Sequence, residues 1–145
     1  MASELMRECY EIQGGNFDRA GEISSEIKAI LRDLAVNPVT IRRAVIVAFE
    51  AEMNVVMYAR KGKLTFVLTD EEVELVVEDE GPGIPDLELA FQEGYTTATD
   101  EMRELGFGFG MGLPNMKKNS DELKIDTEVG KGTTVHAKIR LDAHA

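Results

Sequence analysis

Glu50 and Asn54 stand four residues apart in the run VIVAFEAEMNVVMYA. At ~100° per residue this spacing places them on one face of a helix, about 40° apart, while Glu52 points roughly the opposite way. An acid and an amide among Val45, Val47, Phe49, Val55 and Met57 need polar partners if that face is buried. A metal ion or a phosphate-bound water satisfies both, whereas a solvated face asks for neither. Asp79 is the second candidate, in EDEGPGI. Strand alternation sets Val73, Leu75 and Val77 on one side and Glu72, Glu74 and Glu78 on the other, and the same period carries Asp79 to the apolar side. A carboxylate aimed inward needs donors. A purine amino group is one, and the backbone of the turn that follows is another. The third candidate is GFGFGMGL, where Gly106, Gly108, Gly110 and Gly112 alternate ahead of an apolar helical pattern. Glycine admits positive φ and close approach of a ligand to the main chain, and free N–H groups at a helix start favour phosphate. A carboxylate cradle and a glycine cradle together suggest a nucleotide site.

The elements that must position these groups are legible in order. Met6 to Ile12 predicts a strand ending at Gly14-Gly15, and Asn16 predicts the cap of a helix from Phe17 to Leu34. Asn37-Pro38 predicts a second helix, running to about Arg60 with Gly62 ending it. Leu64–Leu68 and Val73–Asp79 form a hairpin, and Asp86 caps a short helix to Phe91. Gln92 to Leu105 is a polar loop of the length that functional lids have, with Arg103 within reach of a γ-phosphate or simply exposed. A helix of about three turns follows the glycines, with Lys117 and Lys118 solvated. Asp121–Thr127 and Thr133–Leu141 are the last two strands, joined by the Gly130-Lys131-Gly132 turn. Two helices ahead of the central hairpin exclude a regular βαβ alternation.

Composition narrows the partners. The 145 residues carry a formal charge of -11 at pH 7, which opposes nucleic acid and anionic membrane as main partners. The single Cys9 makes no internal disulfide and, with two scattered histidines, no zinc site; it is expected as a small buried strand residue. No apolar run approaches the ~20 residues of a membrane span, and the N-terminus lacks a signal-peptide core. The expectation is one cytoplasmic domain over residues 1–145. Neither Lys63 nor Lys131 completes a P-loop, and the glycines follow a polar loop rather than the strand that a Rossmann fingerprint requires.

The ordered set is more specific than its parts: helix E-x-x-x-N, strand-end D-x-G-x-G-I, polar loop, G-x-G-x-G-x-G-L, then G-T-T. From about Val39 to Arg140 it resembles the GHKL ATPase superfamily of gyrases, heat-shock chaperones, histidine kinases and mismatch-repair ATPases. NVVMYARKGK, EDEGPGIPD, GYTT and GMGLPNMKK resemble its anti-sigma-factor serine kinase and switch-kinase branch. The resemblance implies an α/β (α+β) two-layer sandwich of the Bergerat type, a mixed, mostly antiparallel sheet with helices on one face. It implies ATP and Mg²⁺, with Glu50 as general base and Asn54 as the Mg²⁺ ligand. The implied nucleotide contacts are Asn54, Asp79 at the adenine amino group, Gly81, Gly83, Ile84, Gly106, Gly108, Gly110, Met111, Gly112, Leu113 and Thr133. The interleaved Phe107 and Phe109 and the long segment before them depart from the switch-kinase pattern.

Two functions follow from the resemblance. One is a protein serine/threonine kinase acting on a STAS-domain, anti-anti-sigma-like partner. The other is an ATP-gated module that sequesters a sigma factor with little phosphotransfer. A histidine-kinase fragment would need a phosphoacceptor histidine on a dimerising helix, and His136 falls in a predicted strand while His144 falls in the tail. The first strand and helix offer a surface for a homodimer.

Overall fold

The computed structural model describes residues 3–94 and 111–141. Five strands form one sheet: β1 (Glu4–Gln13), β2 (Lys61–Thr69), β3 (Glu72–Glu80), β4 (Glu122–Glu128) and β5 (Gly132–Arg140). Their order is β1-β2-β3-β5-β4, and each neighbouring pair is antiparallel. The expected mixed sheet is therefore antiparallel at every described pairing. Helices α1 (Glu22–Asp33), α2 (Pro38–Tyr58), α3 (Leu87–Ala90) and α4 (Gly112–Asn119) accompany it.

The layering follows from the strand pattern. Leu64, Phe66 and Leu68 of β2, Val73, Leu75 and Val77 of β3, and Val135, Ala137 and Ile139 of β5 are all buried, and α2 packs along them. The opposite face keeps Glu74, His136 and Lys138, with His136 Nε2 2.9 Å from Glu74 Oε1. Cys9 departs from expectation. It is exposed, because strand alternation turns it, with its partner Thr65, to the sheet face opposite the one that buries Ile12, Leu64 and Phe66. Lys117 and Lys118 are exposed, as expected, yet Lys118 Nζ lies 2.6 Å from Glu93 and Lys117 lies over the Phe91 ring.

The long central helix begins where Asn37-Pro38 requires, with Asn37 Oδ1 accepting the Val39 N–H at 2.8 Å. It stops at Tyr58, and Gly62 belongs to β2 rather than to a helix end. The glycine is needed there for another reason: a Cβ would sit 2.8 Å from Val55 Cγ1 of α2. The first predicted helix is broken. Phe17–Arg19 is a single 3-10 turn with no side-chain cap from Asn16, and α1 starts afresh after Gly21 at φ 93°.

Glu52 explains that restart. Its side chain, only 2% exposed, crosses from α2 to accept the Gly21 N–H at 3.0 Å and the Ser24 N–H at 3.2 Å, with Ile23 adding a further backbone bond. A carboxylate from another helix thus caps an N-terminus whose own cap residue has no side chain. Burial pushes the Glu52 carboxyl above its usual range against the pull of those N–H groups. Glu52→Ala is expected to destabilise the fold by about 2–3 kcal/mol in urea denaturation, because it strands buried donors. The native state holds the Glu52 proton to higher pH than the unfolded chain does. Wild-type stability therefore falls as pH rises from the usual glutamate range through the raised native value. Glu52→Gln loses that slope, and an unchanged slope in this variant would contradict the assignment.

Candidate active site

Antiparallel pairing and helix packing bring three distant segments together at one end of the sheet. Glu50 and Asn54, both half-buried, lie on the second half of α2 and face α4. Asn115 Nδ2 donates to Glu50 Oε2 at 2.8 Å. One turn on, a Cβ at Gly112 would lie 3.5 Å from Asn54 Oδ1, so the start of α4 is seated against the amide. The two helices meet in register, Glu50 with Asn115 and Asn54 with Gly112.

Asp79 ends β3 beside the start of β5. Its Oδ1 accepts the Thr133 N–H at 3.0 Å, and the Gly81 N–H supplies a second backbone bond. Asp79 thus caps its own turn, as the alternative reading held, and is joined to β5 as well. Burial holds its carboxyl above the usual aspartate range, against the opposing pull of Thr133 and Gly81. Gly81 lies close to Ala59 just beyond α2, where a Cβ would be 3.1 Å from the Ala59 Cβ. Gly83 adopts φ 76°, and a Cβ there would collide with the Glu128 carbonyl. The backbone that crowds Gly83 is that of Glu128 and Val129, so this glycine lets the β4–β5 turn close over the β3 end.

Thr127 joins the two sides and was not singled out from the sequence. It faces Thr133 across the β4–β5 register, with their Oγ1 atoms 2.9 Å apart. Its hydroxyl also accepts the Ile84 N–H at 2.8 Å. The strand alternation leading to the Gly130 turn was the available signal. Gly132 was read as a turn residue and as the glycine of the G-T-T motif; a Cβ on it would collide with the Asp79 carbonyl, so its lack of a side chain lets β5 start directly against Asp79. Leu113, 8% exposed, packs in the hydrophobic core, and Met111 and Ile84 are half-buried. Gly106, Gly108, Gly110 and Arg103 lie outside the described residues.

The donor set fits a nucleotide. Asp79 is a half-buried acceptor with neighbours that fix one oxygen, the G-x-G turn and Gly132 leave backbone without side chains around it, and α4 begins at a glycine against Asn54. Among the described residues no three His, Cys, Asp or Glu side chains cluster as a metal cage. A neutral amide oxygen suits a divalent ion that arrives on phosphates, as Mg²⁺ commonly does.

Comparison with known families agrees with this geometry. Residues 39–143 match the family described as histidine kinase-, DNA gyrase B-, and HSP90-like ATPase. The chain belongs to that ATPase family. Within the family its relatives lie in the anti-sigma kinase branch. The serine/threonine-protein kinase RsbT of Bacillus subtilis (strain 168) is 28% identical over 112 residues, 74% of this chain and 78% of that protein. The anti-sigma F factor of Shouchella clausii (strain KSM-K16) is 36% identical over 124 residues, 86% of this chain and 74% of that protein. A crystal structure of RsbU and RsbW domains from Mycobacterium tuberculosis superposes with a TM-score of 0.59 at 15% identity, covering 92% of this chain and 32% of that longer one. That likeness is one of fold.

Proposed function

We propose that this chain is a Mg²⁺-dependent protein serine/threonine kinase that transfers the γ-phosphoryl group of ATP to a hydroxyl of a STAS-type partner. The observation that carries the reading is the placement of Glu50. A carboxylate is held one helical turn from Asn54, facing the helix that starts at Gly112, with one oxygen anchored by Asn115. In this reading Asp79 accepts from the adenine amino group while Thr133 and Gly81 hold its carboxylate in place. Asn54 would hold Mg²⁺, which when bound would neutralise phosphate charge. Glu50 takes the proton of the partner's hydroxyl as that oxygen bonds the γ-phosphorus. The bond from this phosphorus to the β–γ bridging oxygen breaks, and ADP leaves with the electron pair.

The name of one relative, anti-sigma F factor, favours the second reading, in which ATP gates capture of a sigma factor. Incubation of the chain with γ-labelled Mg-ATP and a STAS-domain candidate separates the two. Acid-stable label on serine or threonine of the partner is the expected result. An ATP-dependent complex without label would favour gating. Acid-labile label would favour a histidine acceptor, a reading that the pairing of His136 with Glu74 on a strand already disfavours.

A further inference from the structure

We infer that Asn115 is a positioning residue for Glu50, setting which carboxylate oxygen is free to receive the nucleophile's proton. This rests on the phosphotransfer reading above. The contact is a 2.8 Å hydrogen bond from Asn115 Nδ2 to Glu50 Oε2 between two half-buried side chains on different helices. An ionised carboxylate only accepts, so the amide must present its NH₂ to it. The bond has one sense and fixes the rotamers of both groups.

The backbone beneath Asn115 is itself held. Its N–H donates to the Met111 carbonyl at 2.9 Å, and its carbonyl accepts from Asn119 Nδ2 at 2.9 Å. Asn115 also lies three residues after Gly112, which faces Asn54. The carboxylate and the amide of α2 therefore read the position of one rigid turn of α4, so any shift of α4 against α2 moves Glu50 and the seat of Asn54 together.

The chemistry of the donor matters as much as its place. A lysine or arginine there would hold the carboxylate by charge and lower its affinity for a proton. A single neutral N–H anchors Oε2 without adding a positive charge and leaves Oε1 unclaimed by Asn115. As the hydroxyl oxygen forms its bond to the γ-phosphorus and the bond to the β–γ bridging oxygen breaks, the proton passes to Glu50 in a fixed direction. Proton transfer is sensitive to such alignment.

The test uses the full chain with Mg-ATP alone, reading steady-state ADP release with water as the nucleophile, and thermal unfolding as the control for folding. Asn115→Leu keeps the volume and deletes the donor. It is expected to lower kcat about tenfold, the scale of one hydrogen bond to a charged group, with KM for Mg-ATP within twofold. In a Glu50→Gln background the same change is expected to have no further effect, because Asn115 acts through the base. Asn115→Asp sets a second carboxylate against Glu50, and the acid limb of the kcat profile is expected to move up by about one pH unit. If Asn115→Leu does not fold, the Asn115→Asp profile decides alone. An active wild type with an unmoved acid limb, a KM effect without a kcat effect, or equal losses with and without Glu50 overturns the inference and leaves the phosphotransfer reading standing. A folded wild type that releases no ADP and labels no partner overturns both.

Discussion

Asp79→Asn is expected to weaken Mg-ATP binding at least a hundredfold, enough to flatten a calorimetric titration at micromolar protein. On the proposed reading the carboxylate has two roles that an amide cannot fill together, accepting from the adenine amino group and from its backbone neighbours. One oxygen accepts the Thr133 N–H at 3.0 Å, with the Gly81 N–H bonded to the same carboxylate. If the asparagine carbonyl takes over that backbone contact, its NH₂ points at the adenine amino group, and donor faces donor. Losing a hydrogen bond to a charged, half-buried acceptor is worth about 3 kcal/mol, or two decades of affinity. The fold is expected to survive, because burial already opposes the charge at this position and the substitution removes it. Urea denaturation of the variant checks that point. The wild type adds a pH signature. Asp79 holds its proton to higher pH than an ordinary aspartate, so affinity declines as pH falls through that raised value, and the variant lacks this decline. Affinity retained within threefold in Asp79→Asn would remove Asp79 from the site.

What could be read from the sequence was whatever rests on local periodicity or local backbone chemistry. Asn37-Pro38 announced the start of α2 because an N-cap acceptor and a proline with no N–H act within three residues. The alternation of Val73, Leu75 and Val77 against Glu72, Glu74 and Glu78 announced β3 and turned Asp79 inward. Glu50 and Asn54 were found because helical geometry fixes their common face without knowledge of the fold. What was missed depends on pairs far apart in sequence. Glu52 lies 28 to 31 residues from the N–H groups that it caps, so its burial could not be inferred from α2 alone, and the break at Gly21 could not be placed without it. Asn115 lies 65 residues from Glu50. Cys9 went the other way: residue type suggested burial, but its place in the strand alternation turned it to the uncovered face of the sheet. Gly83 was expected to let a ligand approach; that its Cβ position is also filled by the Glu128–Val129 backbone could not be read from the sequence, because the β4–β5 turn lies over 40 residues away.

Glu50→Gln is the substitution that separates catalysis from gating, and its expected effect is the largest on rate. Glutamine has the same shape and can still offer an oxygen to Asn115 Nδ2, so the contact between α2 and α4 persists. It cannot take up a proton. Transfer to a partner hydroxyl is therefore expected to slow about 10²- to 10⁴-fold, the range for losing a positioned general base. Mg-ATP affinity, which on this reading is carried by Asn54, Asp79 and the glycine backbone, is expected to stay within about threefold. Single-turnover transfer of labelled phosphate measures the first quantity, and calorimetry the second. The two numbers must diverge, because a residue that bound ATP and a residue that accepted a proton would both slow turnover, but only the former would also weaken binding. If transfer persists at the wild-type rate, Glu50 is not the base. If wild type shows no transfer while Glu50→Gln and wild type capture a partner equally in the presence of ATP, the Glu50–Asn115 contact serves to dock α4 on α2, and the chain works as an ATP-gated binding module.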